Sequence, residues 1–325
     1  MKRLLAKITC GIGVLAALHT SVCSAAAGYP SKPVRLIVPG AAGGILDIAA
    51  RQLSEQVARG LGQPVVVENR PGAGGVAGLE AAARSAPDGY TIVLAAFTDL
   101  AVNPALYPKL SYQPLQDFTP VIHAYSGAVV LTAHPSAKVK SLADLADLAK
   151  AQPGKHFYGS SGNARPPHVY MELLKSEKNI DVQHVPYNGG PPMLTSFMAG
   201  DIQFAIEGAP LMVPQIKAGK MIGLAVTSER RLASLPDVPT FTELGISETP
   251  TAWSAIMAPR GTPVDVVKRL NQEFAKALES PNVRDAFEAG GRVAGGGAPE
   301  RVTTLLEADL RRWAQVVKQA NIRVD

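Results

Sequence analysis

Apolar residues in this chain recur in two rhythms that take turns. Compact β-branched runs, suited to strands buried on both faces, alternate with longer stretches whose apolar residues return every three or four positions. Val34–Val38 (VRLIV) opens the series. It is followed by a stretch with Ala49, Leu53, Val57 and Leu61 on one side, closed by Gly60 and Gly62. Residues 65–68 form a second run, 76–84 a helix of small residues, and 90–95 a third strand. The order β-α-β-α-β predicts parallel pairing with helices on both faces. The theme then returns. Strands are predicted at 129–133, 157–162, 182–185, 202–207 and 222–227, and helices after a Ser141–Asp144 capping box, at 168–175 and at 191–198. A last strand at 253–258 and helices at 263–278, 282–289 and 300–320 complete the chain.

Residues 1–27 stand apart from this alternation. Lys2, Arg3 and Lys7 precede an apolar segment at 8–18, and CSAAAG supplies small residues where a signal peptidase cuts. The segment reads as a cleaved export signal, with cleavage after Ala25, Ala26 or Ala27. A lipid-bearing Cys23 fits less well, because bulky Val22 stands where a small residue is expected. Both cysteines, Cys10 and Cys23, fall inside this segment, so the mature chain is expected to hold neither a disulfide nor a thiolate metal site. Setting aside the three basic residues of the signal leaves 29 Lys and Arg against 27 Asp and Glu. That balance, with no basic run interleaved with aromatics, argues against nucleic acid as a partner. No later apolar stretch approaches the ~20 residues of a membrane span. A soluble protein of two domains, or one large one, is expected.

In open parallel sheets the ligand crevice lies at the carboxyl ends of the strands. Small and polar residues dominate those positions here. Pro39, Gly40, Ala41, Ala42, Gly43 and Gly44 follow the first strand, and Phe97, Thr98 and Asp99 the third. Gly159-Ser160-Ser161-Gly162-Asn163, Tyr187-Asn188-Gly189-Gly190 and Gly208-Ala209-Pro210 follow later ones. Four of these loops run directly into predicted helices. A helix start carries unpaired N–H groups and about half a positive charge, and bare Gly and Ala backbone lets a carboxylate or phosphate reach it.

Several of these segments carry a resemblance. YPSKPVRLIVP, GQPVVVENRPGAGG, APDGYTIVLA, YGSSGN, VPYNGGPPML, LAVTSERRLASLPDVPTFTE and APRGTP occur in an order similar to the Bug-type solute receptors, the substrate-binding components of tripartite tricarboxylate transporters. The resemblance implies an α/β, two-domain periplasmic binding protein of the flytrap type (type II), with two hinge crossings. Each domain would be a mixed, mostly parallel sheet flanked by helices. Residues 28–119 and 225–325 would form one domain and 120–224 the other. The implied function is capture of a small carboxylate between the domains by a monomeric receptor, without cofactor or metal, for a membrane permease pair. Carried onto this chain, the implied site is Ala41, Ala42, Gly43, Gly44, Asp47 and Thr98 from the first domain. Ser160, Gly162, Asn163, Tyr187, Gly189 and Gly190 come from the second. Asp47 reads equally as a helix cap, Glu207 as a selector of cationic groups or a solvated side chain, and His168 as a capping or core-edge residue.

Three positions depart from the family pattern. Gly40 replaces a frequent aromatic wall. Arg165, pointing inward, offers a planar fork for a second carboxylate, and pointing outward is surface charge. Phe97 stacks on an aromatic ligand or fills core. An enzyme of hydrolase type acting on a small carboxylic acid is the competing reading. Gly72, Gly74 and Ala77 imitate a dinucleotide fingerprint, but no acid stands at 94–96 where one is required. Ser160 and His168 lack a nucleophile elbow and an identifiable third member. His123, His134, His156, His168 and His184 show no metal-ligand spacing.

Overall fold

The computed structural model describes residues 28–246, 252–319 and 321–323. The expected export signal, with its cleavage positions and both cysteines, lies outside the described residues.

The first lobe begins with β1 (Val34–Val38), α1 (Ile45–Leu61), β2 (Val65–Asn69), α2 (Val76–Ala83) and β3 (Thr91–Ala96). The apolar stripe of α1 buries Leu46, Ala49, Leu53, Val57 and Leu61. Gly62 ends it in the left-handed region (φ 69°), its N–H donating to the Ala58 carbonyl, a geometry that glycine adopts without strain. Two short helices, α3 (Asn103–Leu106) and α4 (Pro114–Asp117), lead into β4 (Phe118–Gly127), which the sequence pattern did not predict. β4 lies inside the first sheet, whose order is β11 (Arg292–Ala294), β4, β10 (Ala252–Pro259), β3, β1, β2.

The second lobe runs through β5 (Val129–Ala133), α5 (Leu142–Ala151), β6 (Phe157–Ser160), α6 (Pro166–Lys178), β7 (Gln183–Pro186), α7 (Gly190–Ala199), β8 (Phe204–Gly208), α8 (Ala209–Lys217) and β9 (Ile222–Val226). Its sheet has the order β7-β6-β8-β5-β9. Ser141 caps α5 as expected, its hydroxyl accepting the Asp144 N–H at 3.1 Å. The chain then returns to the first lobe with β10 (Ala252–Pro259), α9 (Val264–Glu279), α10 (Pro281–Ala289), β11 (Arg292–Ala294) and α11 (Pro299–Gln319). Both α9 and α11 pack on β4.

Among the named strands, parallel pairing joins β1 to β2 and β3, and β6 to β7 and β8, so neither sheet is mostly parallel. The strands beside each passage between lobes, β4, β5, β9 and β10, pair antiparallel, so each sheet is mixed. Sheet membership moves both changeovers away from the expected positions at 119/120 and 224/225. β4 pairs with β10 and β11, so the chain leaves the first sheet at Ala128. The stretch after β9 stays on the second sheet, with Thr240 bridged to Val226 and Leu235 and Val238 in that lobe's core. Ala252 is the first described residue back on the first sheet.

One apolar cluster extends through both lobes. It holds Val93 and Trp253 of the first sheet and Leu131 and Phe204 of the second. Three rings join them. Phe97, just after β3, lies 5.4 Å from Trp313 on α11 and 5.8 Å from Tyr170 on α6, and Tyr170 and Trp313 are themselves 6.1 Å apart. These separations suit tilted and edge-on aromatic packing.

Candidate ligand-binding cleft

The carboxyl ends of the two sheets face each other across a cleft of about 880 Å³. Four helix starts open onto it: α1 through Gly44 and Ile45, α2 through Gly74 and Gly75, α6 through Arg165 and Pro166, and α7 through Gly189. Tyr125, Trp253, Ser254 and Arg292 form more of the wall. The described lining carries two charged side chains, Arg165 and Arg292, and no acid.

The first loop is shaped by a network behind it. Asp47 is 3% exposed and does not line the cleft. Its carboxylate accepts the Gly43 N–H at 2.9 Å and the Arg51 Nε at 3.0 Å, and Asn69 donates to the Gly40 carbonyl at 3.1 Å. Burial raises the Asp47 pKa, but the bonds from Arg51 and Gly43 outweigh it and hold the group below its ordinary value. Asp47 is thus a positioning residue that fixes the turn. Gly43 spends its N–H on that carboxylate, and Ala42 is exposed at the tip, so within this loop Gly40, Ala41 and Gly44 face the cleft. A Cβ at Gly43 would stand 3.2 Å from Pro191, and one at Gly189 2.9 Å from Ala41. The loops of the two lobes therefore touch across the mouth.

Gly162, Asn163, Arg165, Tyr187 and Gly189 line the opposite side as expected positions. Arg165 points inward: its NH1 donates to Asp99 Oδ1 at 2.7 Å and to the Gly74 carbonyl at 3.3 Å, tying the second lobe to the first. Asp99 is fully buried and also accepts the Ala96 N–H at 2.8 Å. Phe97 borders the cleft, but its ring is wholly buried against Tyr170 and Trp313 and fills core.

Four expected positions lie behind the wall. Thr98 is fully buried, with no hydrogen-bond partner for its hydroxyl. Gly190 is packed against Leu211 and Glu207, inside the start of α7. Glu207 is fully buried, accepts the Gly208 N–H at 2.8 Å, and is pushed above its ordinary pKa by burial, so it is neither solvated nor in the cleft. Ser160 is fully buried, its hydroxyl 2.7 Å from His184 Nε2. That serine–histidine contact resembles a nucleophile with its base, but it is closed off from the cleft and offers no substrate access.

Two histidines support the β6–α6 loop from below. His168 is stacked on His184 at 4.3 Å, and His184 on Tyr158 at 4.7 Å. His168 Nδ1 accepts the Ala164 N–H at 3.1 Å, which requires the neutral ring. Burial pushes His168 down to about 4; burial and the neighbouring His168 push His184 down to about 3. The unfolded chain takes up these protons near pH 6.5, so the stability they contribute is complete above that value and is lost as pH falls toward 4. Denaturant titration should show an unfolding free energy about 3 kcal/mol lower at pH 4 than at pH 7 from His168 alone. His168→Asn, which keeps an acceptor without the titration, should flatten that part of the profile.

Sequence reasoning missed the loop Pro71–Gly75, together with Tyr107, Tyr125, Trp253, Ser254 and Arg292. The loop had a readable signal. It follows β2 and, with φ of 134°, 44°, 63° and 98° at Gly72, Ala73, Gly74 and Gly75, needs its glycines for a left-handed path.

Known proteins share this architecture. The family model for the tripartite tricarboxylate transporter family receptor matches residues 49–322. BugT of Bordetella pertussis is 36% identical over all of this chain and 99% of its own. Rpa4515 of R. palustris, solved with adipate, superposes with a TM-score of 0.86 at 33% identity, over 91% of this chain and 99% of that one. MatC (Rpa3494) of Rhodopseudomonas palustris, solved with bound malate, gives a TM-score of 0.84 at 31% identity, over 89% and 100%. With two mixed sheets facing across a cleft and a match over most of its length, the chain belongs to the tripartite tricarboxylate transporter receptor family and is a solute-binding receptor rather than an enzyme.

Proposed function

We propose that this receptor captures a small organic carboxylate in the cleft and presents it, in the periplasm, to a membrane permease pair of the tripartite type. The observation that carries the reading is the cleft's charge. Its described lining has two guanidinium groups and no acidic side chain, and four helix N-termini converge on it. Each helix start favours a nearby anion by about 0.3–2 kcal/mol, so the backbone adds to the attraction of the side chains. Relatives solved with adipate and with malate support the same ligand class. The N-terminal segment reads as an export signal, and a single chain closes the cleft from both sides, as a monomer does.

Thermal unfolding of the mature protein with a panel of organic acids tests this. The cognate carboxylate should stabilise it by about 2.7 kcal/mol at a hundredfold excess over Kd. Stabilisation by neutral or cationic solutes, with none by acids, would overturn the reading.

A further inference from the structure

Of the two arginines that line the cleft, only Arg165 has an acid of its own, Asp99. Arg292 is in a different position. It lies on β11 opposite Gly127, is 3% exposed, and lines the cleft. Its guanidinium sits 5.0 Å from the Phe287 ring and 5.5 Å from the Tyr125 ring. NH1 donates to Gln52 Oε1 at 2.9 Å, while Nε is buried without a partner. Among the described residues no carboxylate pairs with it, and burial works against its charge. A guanidinium remains charged, and burying one without a counter-ion is costly. Two aromatic faces offset part of that cost but leave the Nε–H unused.

We propose that Arg292 is a second anion clamp, which binds the far carboxylate of a dicarboxylic acid whose near carboxylate sits at the helix starts. This rests on the carboxylate reading above and specifies the ligand. The spacing follows from α1. Gln52, which holds Arg292, stands two turns beyond Ile45 at the helix start, about 10 Å along the axis at 1.5 Å per residue. The backward lean of helical side chains brings the guanidinium nearer. The span suits a diacid with an apolar spacer of several carbons, lying along Tyr125 and Trp253, better than a compact one such as malate.

Calorimetric titration with adipate and suberate, against hexanoate and octanoate as their one-carboxylate counterparts, tests the assignment. The wild-type protein should bind each diacid at least about tenfold tighter than its counterpart. Arg292→Gln should abolish that preference without lowering the ligand-free melting temperature, because an unpaired buried charge has been removed. Arg292→Lys should retain part of the preference. Persistence of the preference in Arg292→Gln would overturn the proposal. So would equal losses for diacids and monoacids together with a lower ligand-free melting temperature, which would make Arg292 a packing residue. Wild-type binding of malate but none of the four probes would sink the clamp and leave the carboxylate reading intact. Binding of no carboxylate at all would sink both.

Discussion

Replacing Gly75 with alanine is expected to abolish ligand-induced stabilisation and to lower the unfolding free energy by about 3 kcal/mol or more. Two costs combine at this position. Gly75 has φ 98°, a conformation L-residues rarely adopt. A Cβ built there stands 2.2 Å from Asp99 Oδ1 and 2.6 Å from Arg165 NH1. Neither neighbour can give way, since Asp99 is fully buried on the Ala96 N–H and the Arg165 guanidinium is held on Asp99 and Gly74. The methyl group therefore parts the bridge that joins the lobes. Gly62→Ala is the internal control. Gly62 has φ 69° but nothing within 4 Å, so its substitution should cost only the backbone component, about 1 kcal/mol. Denaturant unfolding of both variants, with calorimetry against the best carboxylate, separates strain from collision. Equal losses for the two would mean that the bridge adapts and contributes little.

Asp99→Ala should be nearly as damaging, by about 3 kcal/mol, and for a different reason. Removing one partner of a buried pair leaves the other charge uncompensated, and here the Ala96 N–H also loses its acceptor. Cleft water reaches Arg165, whose side chain is 13% exposed, and this keeps the cost at the lower end of the range for such pairs. Asp99→Asn keeps an acceptor for either donor and should lose less. The β6–α6 loop, which ends at Arg165, would lose its anchor on the first lobe in both variants. Affinity for any carboxylate should therefore fall with stability, and an unchanged Kd in Asp99→Ala would show that the loop finds its place without the bridge.

The alternation of strands and helices was legible because burial on both sheet faces leaves an unmistakable apolar run, as in VRLIV. The cleft loops were legible for a related reason: strand ends that meet helix starts leave bare backbone at predictable places. What the sequence hid depends on tertiary pairing. β4 carries Pro120 and His123 within FTPVIHAYSG, and it is recognisable as a strand only once β10 and β11 flank it. Pro214 lies inside α8 and masks that helix in the same way. Ser160, Thr98 and Glu207 stand at the right chain positions, but their side chains turn into the lobes rather than toward the cleft. Neighbouring residues face opposite sides of a strand, and chain position alone does not say which side is occupied. Arg292 was the least legible of all. It sits on a three-residue strand, and only its register with Gly127 carries it to the cleft wall.

The rings of Phe97, Tyr170 and Trp313 give the molecule a shared keel. One comes from each lobe, and the third from the C-terminal helix that packs behind them. Pulling the lobes apart would expose the apolar cluster they share, so the two sheets are held as one unit. A sideways slide of the halves would strip the rings of their contacts, whereas rocking about them preserves the stack. The aromatic stack therefore resists shear between the lobes more than it resists tilt.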